Sequence, residues 1–126
     1  MVKLLLIYVR MNLYIHDMKT SPLSVNLRDE MAPHAENAAA FLSGLANPHR
    51  LMILCELAAG ERSVGQLIAA TGIAPTSMSQ HLNKLKDEAI VAARRDHRTL
   101  HYTIVHPAVA EMMTTLRRHF CRKEDE

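Results

Sequence analysis

The chain has 126 residues, enough for one domain with a single modest core. Apolar residues make up 48% but aromatics only 4%, so the core has to be built from Leu, Ile, Val, Ala and Met, a composition that favours helices. A formal charge of +2 neither demands nor excludes a nucleic-acid partner, while two cysteines with no CxxC pair exclude a zinc ribbon and a thioredoxin-type motif.

Residues 1–32 share no pattern with the rest of the chain and read as a flexible N-terminal arm. Its apolar VKLLLIYV is broken by Arg10, lacks a small-x-small cleavage site and is too short to span a bilayer. No membrane role is expected, and the reducing cytoplasm is the expected compartment. Met11, Met18 and Met31 each offer a translation start, so part of the arm lies before the true start if one of them is used.

From His34 to Leu45 the sequence HAENAAAFLSGL places Ala38, Phe41, Leu42 and Leu45 at helical spacing. Asn47 then reads as an N-cap with Pro48 at the first helical position, where its missing N–H costs nothing. The second helix, PHRLMILCELAAG, is apolar nearly all round, which calls for a place in the core or a subunit interface, and Gly60 closes it. Ser63 opens a short helix, SVGQLIAATG, with Val64, Leu67 and Ile68 inward and Gly72 as its stop.

The next helix, beginning near Thr76, is the most informative stretch. Met78, Leu82 and Leu85 share one face, while Thr76, Ser77, Ser79, Gln80, His81, Asn83 and Lys84 occupy the others. A plain surface helix would carry Glu and Lys there. Short hydrogen-bonding side chains reach base edges and phosphates, and lysines neutralise phosphates. Two short helices joined by a Gly-containing turn, the second with such a face, make a helix-turn-helix. Segments 90–95 and 99–105 then alternate as two strands around Asp96-His97-Arg98, a hairpin wing whose tip carries Arg94, Arg95, His97 and Arg98 for the phosphate backbone or a minor groove. Pro107 starts a last helix with the apolar stripe Val109, Met112, Met113, Leu116 and Phe120, and residues 124–126 are an acidic tail. The domain proper thus spans 33–123, mainly α with a small β-hairpin: helix, helix, helix-turn-helix, wing, helix.

This order, with LANPHRLMIL, SVGQL, SMSQHLNKL and ARRDHRTLHYTI, resembles the ArsR/SmtB family of winged helix-turn-helix repressors over residues 35–122. The resemblance implies a homodimer formed through the first and last helices, binding a palindromic double-stranded operator with two recognition helices about one turn of DNA apart. Ser79, Gln80 and His81 match the family pattern most firmly. Ala74-Pro75-Thr76 stands where many relatives have Ser-Gln-Ser, so the operator sequence is not transferable.

The family offers two effector chemistries. A CxC metal site would fall at Arg62-Ser63-Val64-Gly65 and is absent. His106, Glu111 and His119 lie along the last helix without the Asp-x-His pattern of a second site, and zinc needs about four convergent ligands. No metal and no cofactor is therefore expected, and a metal-responsive repressor, or one without a small effector, is the alternative. Cys55 and Cys121 instead occupy the places of the two cysteines in the sulfur-responsive BigR/SqrR-like branch, which implies a redox switch that links them and releases DNA. A direct disulfide needs Cα atoms within about 7 Å. Arg117, Arg118, Arg122 and Lys123 around Cys121 favour its thiolate. Enzymatic use of Cys121 with His119 as base is disfavoured, because residues two apart on a helix diverge.

Overall fold

Asn47 shows how faithfully local signals set the chain's punctuation. Its side chain accepts hydrogen bonds from the backbone N–H groups of His49 and Arg50 at 2.9 and 3.1 Å, with Pro48 at the first position. Such a cap contributes about 1 kcal/mol. The computed structural model describes residues 26–121 together with Lys3, Leu5 and Leu6. Expectations attached to residues 7–25 and 122–126, including Met11, Met18, Arg122, Lys123 and the acidic tail, lie outside the described residues.

The chain divides into two compact units at Ala38/Ala39. In the first, Asn26 at φ 66 leads into α1 (Leu27–Met31), and a 3-10 turn over Ala32–His34 carries Pro33. A helical stretch therefore lies within the segment read as an arm.

The second unit begins inside α2 (Ala35–Leu45) and continues through α3 (Pro48–Leu57), β1 (Arg62–Ser63), α4 (Val64–Thr71), α5 (Pro75–Asp87), β2 (Val91–Asp96), β3 (Thr99–Ile104) and α6 (Ala108–Phe120). Ser63 and Gln66 form a reciprocal capping box at the start of α4, and Gly72 ends it at φ 72. The turn into α5 is only Gly72-Ile73-Ala74. Thr71 Oγ1 secures it, donating to the Leu67 carbonyl and accepting from the Ile73 N–H, while the Ile73 side chain is buried.

The core is one cluster. Ile53 and Leu54 of α3, Leu67 of α4, Met78, Leu82 and Leu85 of α5, Ile90 and Val109 are fully buried, and among the described residues no polar or charged side chain is buried with them. Each α5 residue expected inward is inward, so its polar residues are necessarily turned outward or to its flanks. The wing is part of a three-stranded antiparallel sheet ordered β1-β3-β2, not a lone pair. Register sets Ala93 and Arg62 on either side of buried Tyr102. The third strand went unseen in the sequence because two residues have no periodicity; only their pairing with Tyr102 and His101 makes them a strand. It supplies the support that an isolated hairpin lacks. Among the described residues no helix is long and apolar enough to cross a membrane.

Candidate nucleic-acid interface and thiol pair

Helix α5 has no side-chain N-cap: Ala74 is extended, Pro75 comes next, and the first turn carries no acidic residue. The backbone N–H groups of Thr76 and Ser77 thus belong to an uncapped, electropositive helix end, where an anion is favoured. Thr76, Ser79, Gln80 and Asn83 are exposed, and Ser77, His81 and Lys84 are half-buried. Of the polar residues predicted to face DNA, the first four stand fully open to solvent.

Two of the others are engaged within the chain. Lys84 pairs with Glu88 one turn on, Nζ to Oε1 at 3.2 Å. His81 faces α3: Arg50 Nη1 lies 3.4 Å from its Nδ1, and the His49 ring is 5.3 Å away between centroids. The His81 pKa is held below the ordinary 6.5, first by loss of water and then by Arg50 and His49. Arg50 also caps the end of α2, its Nε donating to the Gly44 carbonyl at 2.6 Å and its Nη2 to the Ser43 carbonyl at 3.2 Å. Sequence reading assigned Arg50 no role, although it lies inside the LANPHRL phrase. Its partners come from two other helices, α2 and α5, which no local pattern encodes.

On the wing, Arg94 is turned back to the sheet's base. Its Nη2 and Nε donate to Glu61 at 2.7 and 3.2 Å, with His101 Nδ1 4.0 Å from the same carboxylate. Hydrogen bonding from Arg94 holds the Glu61 carboxyl below its usual range and raises the guanidinium in return. Glu61 is the second residue that sequence reading missed. Arg95, His97 and Arg98 stand exposed at the tip, and neither Arg95 nor Arg98 has an acidic partner among the described residues. The sequence's four-residue cationic tip is thus a three-residue tip above an ion-paired base. The loop has two residues, His97 and Arg98, and only His97 takes positive φ, at 57.

Both cysteines are free and exposed. The Cys55 thiol is pushed up, first by loss of water around the sulfur, next by the charge of Cys121, and then by Glu56. Cys121 closes α6 with its N–H on the Arg117 carbonyl at 3.0 Å. Of the possible metal ligands, His106 is otherwise occupied. Its Nδ1 accepts from the Ala108 N–H at 3.1 Å and its ring packs on Phe41 at 4.3 Å. Among the described residues no three His, Cys, Asp or Glu side chains converge as a metal site would require.

Comparison with known proteins agrees with this geometry. Residues 47–93, from the N-cap of α3 to the start of the wing, match the family described as bacterial regulatory protein, arsR family. The nodulation protein NolR of Rhizobium meliloti is 41% identical over 90 residues, covering 71% of this chain and 74% of that one. The solved transcriptional repressor BigR from Xylella fastidiosa superposes with a TM-score of 0.71 at 34% identity, covering 76% of this chain and 98% of that one. Reduced HlyU from Vibrio cholerae gives 0.68 at 34% identity, covering 74% and 98%. These are DNA-binding regulators rather than enzymes. With its winged helix-turn-helix in place, the chain belongs to the arsR family of bacterial transcriptional regulators.

Proposed function

We propose that the chain is a homodimeric repressor that binds a palindromic operator and lets go when Cys55 and Cys121 are oxidised together by a reactive sulfur species. Thr76, Ser77, Ser79, Gln80 and Asn83 read or anchor to the major groove, with His81 and Lys84 at the margin of the same face. Arg95, His97 and Arg98 hold the flanking phosphates, and Arg94 keeps the wing in place through Glu61. The single observation behind the switch is that Cys55 and Cys121 are both free and exposed, with the charge of Cys121 among the causes that push the Cys55 thiol up. The likeness to the repressor BigR and to HlyU in its reduced form supports the same reading.

The chemistry balances with a polysulfide as oxidant. Because the Cys55 thiol is pushed up and so yields thiolate less readily, first attack falls to Cys121, whose sulfur takes a sulfur from the polysulfide and expels a chain one atom shorter. Cys55 then loses its proton and attacks the Cys121 Sγ, forming the disulfide and releasing hydrosulfide. The two thiols give up two protons and two electrons, and the electrons leave on sulfide. The cross-link fixes α6 against α3. The dimer contact is assigned to α2 and α6, so a cross-link that moves α6 alters the spacing of the two reading helices. A hundredfold loss of affinity needs a difference between states of only about 2.7 kcal/mol.

The test is an operator-shift assay with the reduced protein and with the protein treated with sodium tetrasulfide, the same samples being weighed by intact mass spectrometry. Release should track the loss of two hydrogens or the gain of bridging sulfur, with a peptide joining Cys55 to Cys121. A Cys121→Ser protein that still releases DNA on treatment ends the switch.

A further inference from the structure

We propose that Arg50 is a positioning residue for operator recognition: donating to His81 on one side and to the Ser43 and Gly44 carbonyls on the other, it fixes the reading helix to the end of α2. This rests on the operator-binding reading above. A guanidinium is a donor only, so His81 Nδ1 must accept, and the neutral ring then carries its proton on Nε2. Three acceptors from two helices are met by one planar fork, whose nitrogens are held at fixed angles. A lysine ammonium has no such fork.

A second contact confines the same two elements. Gly44 passes so close to the exit of α5 that an added Cβ would lie 2.6 Å from Ile90 Cδ1 and 3.3 Å from Glu88 Cγ. The end of α2 is therefore held against the reading helix at its middle, through Arg50 and His81, and just past its C-terminus, through Gly44. A tilt of α2 toward α5 is resisted by the close approach at Gly44, and a tilt away loosens the Arg50–His81 contact. The groups facing His81 are Arg50 and His49 from α3, and Lys84 lies one turn along its own helix, held by Glu88. From Ala39 to Leu45, α2 carries no titratable side chain. Protonating His81 turns its acceptor into a second donor facing Arg50, which breaks the contact and sets two cations side by side.

Two other roles for Arg50 are separable from this one. A direct phosphate contact would strengthen binding to every duplex and add about one to the salt slope. A merely structural contact would lower thermal stability without changing which DNA is preferred. A positioning residue changes the preference itself.

The experiment compares wild type, Arg50→Met and Arg50→Lys on the duplex that wild type selects from a random pool and on a shuffled duplex of equal length, across a range of salt. Both variants should lose about tenfold on the selected duplex while binding the shuffled one unchanged and keeping the wild-type salt slope. Equal losses on both duplexes, a wild-type Arg50→Lys, or no change in either variant overturns the proposal. Long-range 1H–15N spectra of wild-type histidines supply a readout independent of any variant's folding. His81 should show the Nε2–H form, and an Nδ1–H form overturns the assignment. If wild type selects no duplex at all, the operator-binding reading fails instead, and the histidine spectra still decide whether Arg50 holds the ring.

Discussion

Ala89 holds a backbone conformation meant for glycine. At φ 55 it comes directly after the C-cap of α5, and the closing bonds are those of a Schellman motif: Ile90 N–H to the Leu85 carbonyl and Ala89 N–H to the Lys86 carbonyl, both at 2.9 Å. The motif's hydrophobic contact is met by Ile90 and Leu85, both fully buried. Replacing Ala89 by Gly relieves the left-handed penalty and should stabilise the fold by about 1 kcal/mol, read as a higher urea midpoint at unchanged slope. A lower midpoint would mean that the Cβ makes a contact worth more than the strain. His81 gives a pH prediction with a definite sign. Its folded pKa lies below 6.5, so the unfolded chain takes its proton first. Its contribution is intact above 6.5, falls as the pH drops through 6.5, and levels off once the folded ring also titrates. The urea midpoint of wild type should therefore decline between about pH 7.5 and about pH 5.5 more than that of His81→Asn, whose amide oxygen keeps an acceptor near Nδ1 without titrating. Cys55, raised by burial and by Cys121, should react with iodoacetamide at neutral pH more slowly than a free thiol, as peptide mapping by mass would show.

Between elements, Gly44 is a tight point. Ile90 is fully buried, so its Cδ1 has to repack within the core to clear a methyl group placed 2.6 Å away. Gly44→Ala should therefore destabilise by about 1–3 kcal/mol despite alanine's better helix propensity, and an increase in thermal midpoint would show that α2 can lift off α5 at little cost. The wing illustrates how an element's charge and its function part company. Four basic residues were legible at its tip, yet Arg94 is engaged by Glu61, which belongs to the loop before β1. Nothing in the wing's own sequence signals that partner, which lies thirty-three positions earlier.

At the scale of the whole molecule, a single chain leaves large apolar side chains uncovered on α2, α3 and α6 and in the connection before α6. Phe120 is 79% exposed, and Leu42, Met52 and Val105 are close to half exposed. On the proposed reading of a homodimer on a palindromic operator, Phe120→Glu should shift the protein toward monomer in sedimentation and weaken operator binding with it. A stable dimer in that variant would place the subunit contact elsewhere. The amphipathic period of α5, the Asn47-Pro48 and Ser63 starts, the Gly72 stop and the alternating strands were all readable in the chain, because caps, turns and helix faces are settled by residues a few positions apart. What only tertiary structure decided were the relations across long loops: β1 as a strand, Glu61 under the wing, and Arg50 among three helices. Those depend on where separate elements come to rest against one core, and burial, which drives that packing, has no direction that a short stretch of sequence could record.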